Sequence, residues 1–280
     1  MNSVGTYERM EQETGVEAES RLARIYRYRF ALYNLIMKDF KVRYRNMSLG
    51  ILWSLLNPLI MLGVLVVVFS YIHPSRHAHF FPVFLLIGMT TYNFFSLCMP
   101  PATAAILENA SLVKKVIFPR VLIPVSVILS QFIHLLIQVC LLTVFVLAFR
   151  VPLHFTILWV PLIYLVLLTF IMGMAFACSA LNVFYRDILY LVQSSLTVMF
   201  WLTPIFYDLA QVKLNLPRPL YLVYILNPIA GCIDGLRNAI LRGKHPDPES
   251  MGVAAGVALF ALGAGIMIFR SRQKHFSDKI

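Results

Sequence analysis

Six stretches of this 280-residue chain carry no Asp, Glu, Lys or Arg. The windows Arg45 to Arg76, Arg76 to Glu108, Arg120 to Arg150 and Arg150 to Arg186 enclose 30, 31, 29 and 35 uncharged residues; Asp187 to Asp208 and Glu249 to Arg270 enclose 20 each. A helix crosses the hydrocarbon core of a bilayer in about 20 apolar residues at ~1.5 Å per residue. Each window therefore holds one span, with its connecting loop in the longer four. Hydrophobic residues make up 59% of the chain and charged ones 13%, against roughly 45–50% and ~25% in a soluble domain. The expected fold is an all-α integral membrane protein with six transmembrane helices.

The stretch from Lys38 to Pro58, K-D-F-K-V-R-Y-R-N-M-S-L-G-I-L-W-S-L-L-N-P, is where the chain changes solvent. Lys38, Lys41, Arg43 and Arg45 precede it, and no charge follows until Arg76. Cations stay with an anionic leaflet and the apolar run enters the bilayer. With the N-terminus inside, 17 of the 24 Lys and Arg fall on inner segments, so both termini are expected to be cytoplasmic. The formal charge of +11 lies beside apolar spans and forms no stripe with aromatic RNA-binding motifs, which argues against nucleic acid. Residues 1–20, polar and acidic, read as a flexible cytoplasmic tail. Residues 21–270 form the membrane domain and 271–280 a cytoplasmic tail. From Arg21 to Arg45, cations alternate with Leu22, Ile25, Phe30, Leu35 and Phe40, the pattern of an amphipathic helix lying on the inner face.

Residues 220–241 are apolar enough to enter a membrane but contain Asn227, Pro228, Asp234 and Arg237. If they crossed, the basic C-terminal tail would lie outside. A re-entrant pair of short helices between spans five and six, broken at Asn227-Pro228, fits the charge distribution better, because interrupted backbone is tolerated at membrane depth when covered by protein. A seventh span is the alternative. Between spans two and three, Glu108, Asn109, Ser111, Lys114 and Lys115 form a polar face beside Ile106, Leu107, Leu112 and Val113. Such a helix either docks into a cleft on a soluble partner or rests on the membrane surface. His134, alone within span three, reads as a packed, hydrogen-bonded side chain. Gly252-x-x-x-Gly256, with Gly263 and Gly265, reads as a helix-packing face. His73, His77 and His79 share a short loop that Pro74 makes unsuited to a metal cage. The four cysteines show no C-x-x-C spacing.

Catalytic motifs are missing. Gly243-Lys244 fails as a phosphate loop because Asn238 and His245 stand where glycine and Ser or Thr are required. No H-E-x-x-H, G-x-S-x-G or paired acids on an inner loop occur. The chain is therefore expected to have no nucleotide site, metal or cofactor of its own, and catalysis by it is not expected.

Five motifs in order then carry a resemblance: Asp39 to Pro58, E-N-A-S-L-V-K-K-V-I-F-P-R (Glu108 to Arg120), A-L-N-V-F-Y-R-D (Ala180 to Asp187), W-L-T-P-I-F-Y (Trp201 to Tyr207) and L-N-P-I-A-G-C-I-D-G-L-R (Leu226 to Arg237). Together they resemble the permease subunit of ABC-2 type polysaccharide and polyol-phosphate exporters, the group of O-antigen, capsule and teichoic-acid transporters. The resemblance implies a homodimer in the bacterial inner membrane, working with two copies of a separate ATPase that binds the ATP and Mg. Glu108 to Lys115 would be the coupling helix in the ATPase cleft. Lys38, Arg43, Tyr44 and Arg45 would belong to an interfacial gate helix, and residues 220–241 would be the outer re-entrant gate. An exported lipid-linked glycan needs a lining that grips sugar rings, and aromatic faces supply it; Tyr92, Phe94, Phe95, Trp201, Phe206 and Tyr207 are the candidates, with packing against lipid as their alternative. A permease for a drug or small lipid, and a membrane glycosyltransferase, remain the rival functions.

Overall fold

A computed structural model describes residues 21–45, 47–69, 80–115 and 119–279. The acidic segment 1–20 and the histidine loop lie outside the described residues. All regular elements among the described residues are helices. An amphipathic helix α1 (Arg21–Tyr44) leads through a tight turn at Gly50 into α2 (Trp53–Val67); α3 (Phe81–Glu108) is followed by the short α4 (Ala110–Lys115). Then come α5 (Leu122–Ala148), α6 (Trp159–Asn182), α7 (Asp187–Leu202), α8 (Leu209–Asn215), α9 (Arg218–Ile225), α10 (Pro228–Ile240), α11 (Pro248–Arg272) and, after a 3₁₀ turn, α12 (Phe276–Lys279).

Five helical stretches are long and apolar enough to cross a membrane: Gly50–Val67, Phe81–Glu108, Leu122–Ala148, Phe155–Asn182 and Pro248–His275. The sixth expected span, α7, is apolar but has only 16 residues, about 24 Å of helix. The chain continues beyond it as the non-helical segment 203–207, against which protein packs. The described residues thus hold five full spans and this short sixth one.

Helix α3 is the hub. Its run Val83 to Ile87 is apolar all round and fully buried, as expected for a helix with neighbours on every side. It packs against α2, α5, α6, α7 and α10. It runs through Pro100 and Pro101 to Glu108. A second body forms where α6 and α11 meet at their backbones: a Cβ built on Gly265 would collide with the Gly173 carbonyl, and one on Gly173 with the backbone at Ala261. Small residues allow this approach. Gly252, Gly256 and Gly263 meet nothing within 4 Å, so the close helix contact uses Gly265 alone of the four glycines in that pattern.

Helices α9 and α10 bend by 89° at their junction, the broken pair read from the sequence. Pro228 lacks an N–H and pushes Asn227 into an extended backbone, and the Asn227 side chain accepts the Ile229 N–H at 3.1 Å. Helix α10 is buried over all 13 residues. What fixes it is Arg237, 1% exposed. Nη1 donates to the carbonyls of Pro204 (2.7 Å) and Tyr207 (2.9 Å), and Nη2 to those of Ile205 (2.7 Å) and Phe84 (3.3 Å). The guanidinium carbon lies 3.4 Å from the Phe84 ring centroid, a cation–π contact. Asn227 Nδ2 adds a bond to Thr203 Oγ1 at 3.0 Å.

Replacing Arg237 with Met leaves four carbonyls short of a donor, a cost of roughly 3 kcal/mol or more. Thermal unfolding of the detergent-solubilised chain is expected to shift down by several degrees. Arg237→Lys should recover only part of the loss, because an ammonium lacks the planar fork. An unchanged midpoint in Arg237→Met would refute the clamp.

Candidate functional site

One end of the molecule gathers the segment expected to dock a partner. Glu108 is the exposed last residue of α3, and the helix breaks at Asn109 (φ −105°, ψ 30°). The predicted single amphipathic helix is thus divided: Glu108 belongs to a span, while Ser111, Lys114 and Lys115 lie on α4. Ser111 and Lys114 are exposed, and Val113 is buried beneath them. A six-residue helix has no stability of its own, so its position comes from its attachments. Lys38 of α1 donates to Asn109 Oδ1 at 2.7 Å, and Asn109 Nδ2 donates to the Ala105 carbonyl at 2.9 Å. Burial lifts the Asp39 carboxyl above its ordinary value; Lys38 pulls it back and the nearby Glu108 charge adds to the rise.

The other attachment is the C-terminal segment. Arg120 donates to the Gln273 carbonyl, and its guanidinium carbon lies 6.0 Å from the Phe276 ring centroid. Phe276 is fully buried. It meets Phe269 at 5.5 Å and Phe184 at 6.3 Å between ring centroids, while Phe269 meets Phe176 at 5.6 Å. Helix α12 packs against α4. The residues expected as a tail therefore fold back under the bundle and touch α4. The same contacts bring Asn109, Arg120, Phe184, Phe269 and Phe276 to the end of the bundle that Lys38 of α1 reaches.

Helix α1 packs along α5 instead of lying wholly on a surface. Tyr44 explains the attachment: its hydroxyl hydrogen-bonds His134 Nδ1 at 2.7 Å and also Ser54, whose Oγ lies 3.0 Å from the same ring nitrogen. His134 is thus buried and hydrogen-bonded, as the sequence implied. Arg43 is half-buried beside it and Arg45 is exposed.

The six aromatic candidates separate into two groups. Tyr92, Phe94 and Phe95 are buried within the chain: Tyr92 donates to the Leu196 carbonyl, Phe94 lies 6.2 Å from Phe132, and Phe95 stacks 5.7 Å from Phe170. Trp201 is 67% exposed. Phe206 lies beneath it at 6.0 Å, and the Tyr207 hydroxyl donates to the Trp201 carbonyl at 3.2 Å and pairs with Tyr224 at 3.1 Å. This second group sits at the opposite end of the bundle, where Asp208, Asp234 and Asn238 surround Arg242. Arg242 escaped the sequence reading. It lies eight residues beyond Asp234, just past the end of α10, and this spacing of about two helical turns was the available signal.

No group of three or more His, Cys, Asp or Glu suited to a metal occurs among the described residues.

Comparison with known proteins places this geometry. The ABC-2 type transporter family profile matches residues 31–241. The chain is 30% identical over 261 residues, 93% of its length and 99% of the relative's, to the O-antigen export system permease protein RfbA of Myxococcus xanthus. It is 27% identical to the protein of that name from Klebsiella pneumoniae, covering 86% of this chain and 91% of the relative. The polysialic acid transport protein KpsM of Escherichia coli is 22% identical over the same share of this chain and 92% of its own. The profile match over residues 31–241, well over half of the chain, shows that the chain belongs to the ABC-2 type transporter membrane family.

Proposed function

We propose that this chain is the membrane-spanning permease of an exporter that carries a lipid-linked, O-antigen-like polysaccharide across a bacterial inner membrane. It works as a homodimer with two copies of a separate ATPase. The observation that carries the reading is the face of α7. Gln193, Ser194 and Ser195 are exposed on this apolar helix, beside Thr197, whose hydroxyl turns back to the Gln193 carbonyl, and no residue of the helix is buried. Hydrocarbon cannot satisfy such groups. They require a polar path or another protein surface, and a second copy laid against α7 and the equally uncovered α2 provides both. Trp201 stands at the outer end of that face and offers a flat ring to passing sugars.

The partner supplies the energy. This chain has no phosphate-binding loop, and the ATP and Mg belong to the ATPase. Closure of the ATPase pushes α4. Lys38 and Asn109 carry the push to α1, the gate helix, while Arg120 and Phe276 carry it to α11. The re-entrant pair, held by Arg237, forms the outer gate. Both termini then lie in the cytoplasm, with the docking segment.

Charge reversal at Glu108 or Lys115 is expected to lower export at least tenfold while the chain still inserts and dimerises. Labelled polymer at the cell surface and the amount of subunit in isolated membranes are the two measurements. Normal export in both variants would remove the docking role.

Trp201→Leu and Tyr207→Leu should slow export severalfold with unchanged subunit levels. Phe94→Ala and Phe95→Ala should instead lower the amount of folded subunit. Equal export in Trp201→Leu and the parent would place Trp201 against lipid. Removal of the chain should leave lipid-linked polymer inside the cell; accumulation of a small amphiphile in its place would assign the drug or small-lipid reading.

A further inference from the structure

Within a single chain, α1, α2, α3 and α5 enclose a cavity of about 410 Å³, separate from the exposed face of α7. Its size falls within the range of small-molecule sites, ~300–1,000 Å³. Its walls are unusual for the interior of a membrane bundle. Asn57, Asn93, Ser96 and Gln138 contribute neutral polar groups, beside the Tyr44–Ser54–His134 cluster. Gln138 is 4% exposed, and its Oε1 has no hydrogen-bond partner. It follows His134 by one helical turn on α5, with Ser130, also buried and unpartnered, one turn before. A buried polar group without a partner is costly, and this helix places two on one stripe.

The remaining walls select the ligand. Arg43, half-buried, borders the cavity and forms no ion pair among the described residues. Trp53, on the rim with Met47 and Asn57, is exposed and gives access from the side of α2. A guanidinium attracts a phosphate, carboxamides and hydroxyls match ring hydroxyls, and an indole stacks on a sugar face. A hydrocarbon chain would leave the amides unmatched. A bare phosphate would use Arg43 and leave Gln138, Asn93 and Ser96 unsatisfied.

We propose that this cavity is a binding site for a glycosyl phosphate, with the phosphate at Arg43 and the sugar ring among Trp53, Asn93, Ser96 and Gln138. The inference rests on the export reading for its substrate class, but its test reads binding to the chain alone. The full-length chain, with Trp159 and Trp201 replaced by Phe so that Trp53 is the remaining tryptophan, is placed in lipid nanodiscs and titrated. The probes are glucose 1-phosphate, synthetic farnesyl phosphoryl glucose, glucose and inorganic phosphate. Both sugar phosphates are expected to change Trp53 emission saturably, with glucose and phosphate at least tenfold weaker. Tighter binding of the farnesyl probe assigns a lipid-borne headgroup; equal binding assigns a soluble sugar phosphate. Gln138→Leu, which conserves volume, should weaken either probe about tenfold, and Asn93→Ala serves the same purpose if Gln138→Leu does not fold. No saturable response to either sugar phosphate, or full affinity in the folded Gln138 or Asn93 variant, would overturn the site and leave a water-filled void. Binding without export in cells would sink the export reading and not the site.

Discussion

A bilayer offers no water to a broken helix, and residues 203–207 are broken chain at the end of a span. Their carbonyls must find donors inside the protein or the fold cannot close there. One guanidinium supplies four bonds, and because three of its acceptors lie on that segment and the fourth on α3, it joins the end of α7, the re-entrant helix and the hub. Its charge is held without a carboxylate in direct contact, by carbonyl dipoles and the face of Phe84. Gly88 makes room for it: a Cβ there would lie 3.0 Å from Nη2 and from the Ile205 carbonyl. The two motifs Trp201 to Tyr207 and Leu226 to Arg237, distant in the chain, are therefore one structural unit.

Much of this architecture was legible because membrane helices are written in charge as well as hydropathy. Windows without charge located the spans, and Asn227-Pro228 located the break. The length of α7 was not legible. Twenty uncharged residues were present, but the last five lie in the Arg237 clamp, and a count of apolar residues cannot tell helix from covered loop. The extension of α3 through Pro100 and Pro101 was hidden for a related reason. Proline disfavours a helix interior, and contacts from neighbouring helices override that preference here.

The candidate site was read unevenly. Residue type marked out the polar face around Glu108 and the amphipathic α1, yet could not sort Tyr92, Phe94 and Phe95 from Trp201, Phe206 and Tyr207, because an aromatic ring in a span serves a core or a conduit equally well. Burial separates them. Tyr44 was chosen only as part of a cationic run, whereas its hydroxyl proves to be the contact that seats α1 against α2 and α5. That contact joins residues 90 apart in sequence, and no local pattern announces it.

The aromatic knot around Phe276 has a mechanical meaning. Because α6 and α11 touch backbone to backbone at Gly173 and Gly265, they behave as one stiff rod, and α10 leans on that rod where Gly231 meets Ser250. The rod also lies against the hub, because α6 packs on α3, so a displacement at its Phe276 end is shared by both. Two glycines thus make one packing unit of α6 and α11, and Phe276 seals its end against Phe184 and Phe269.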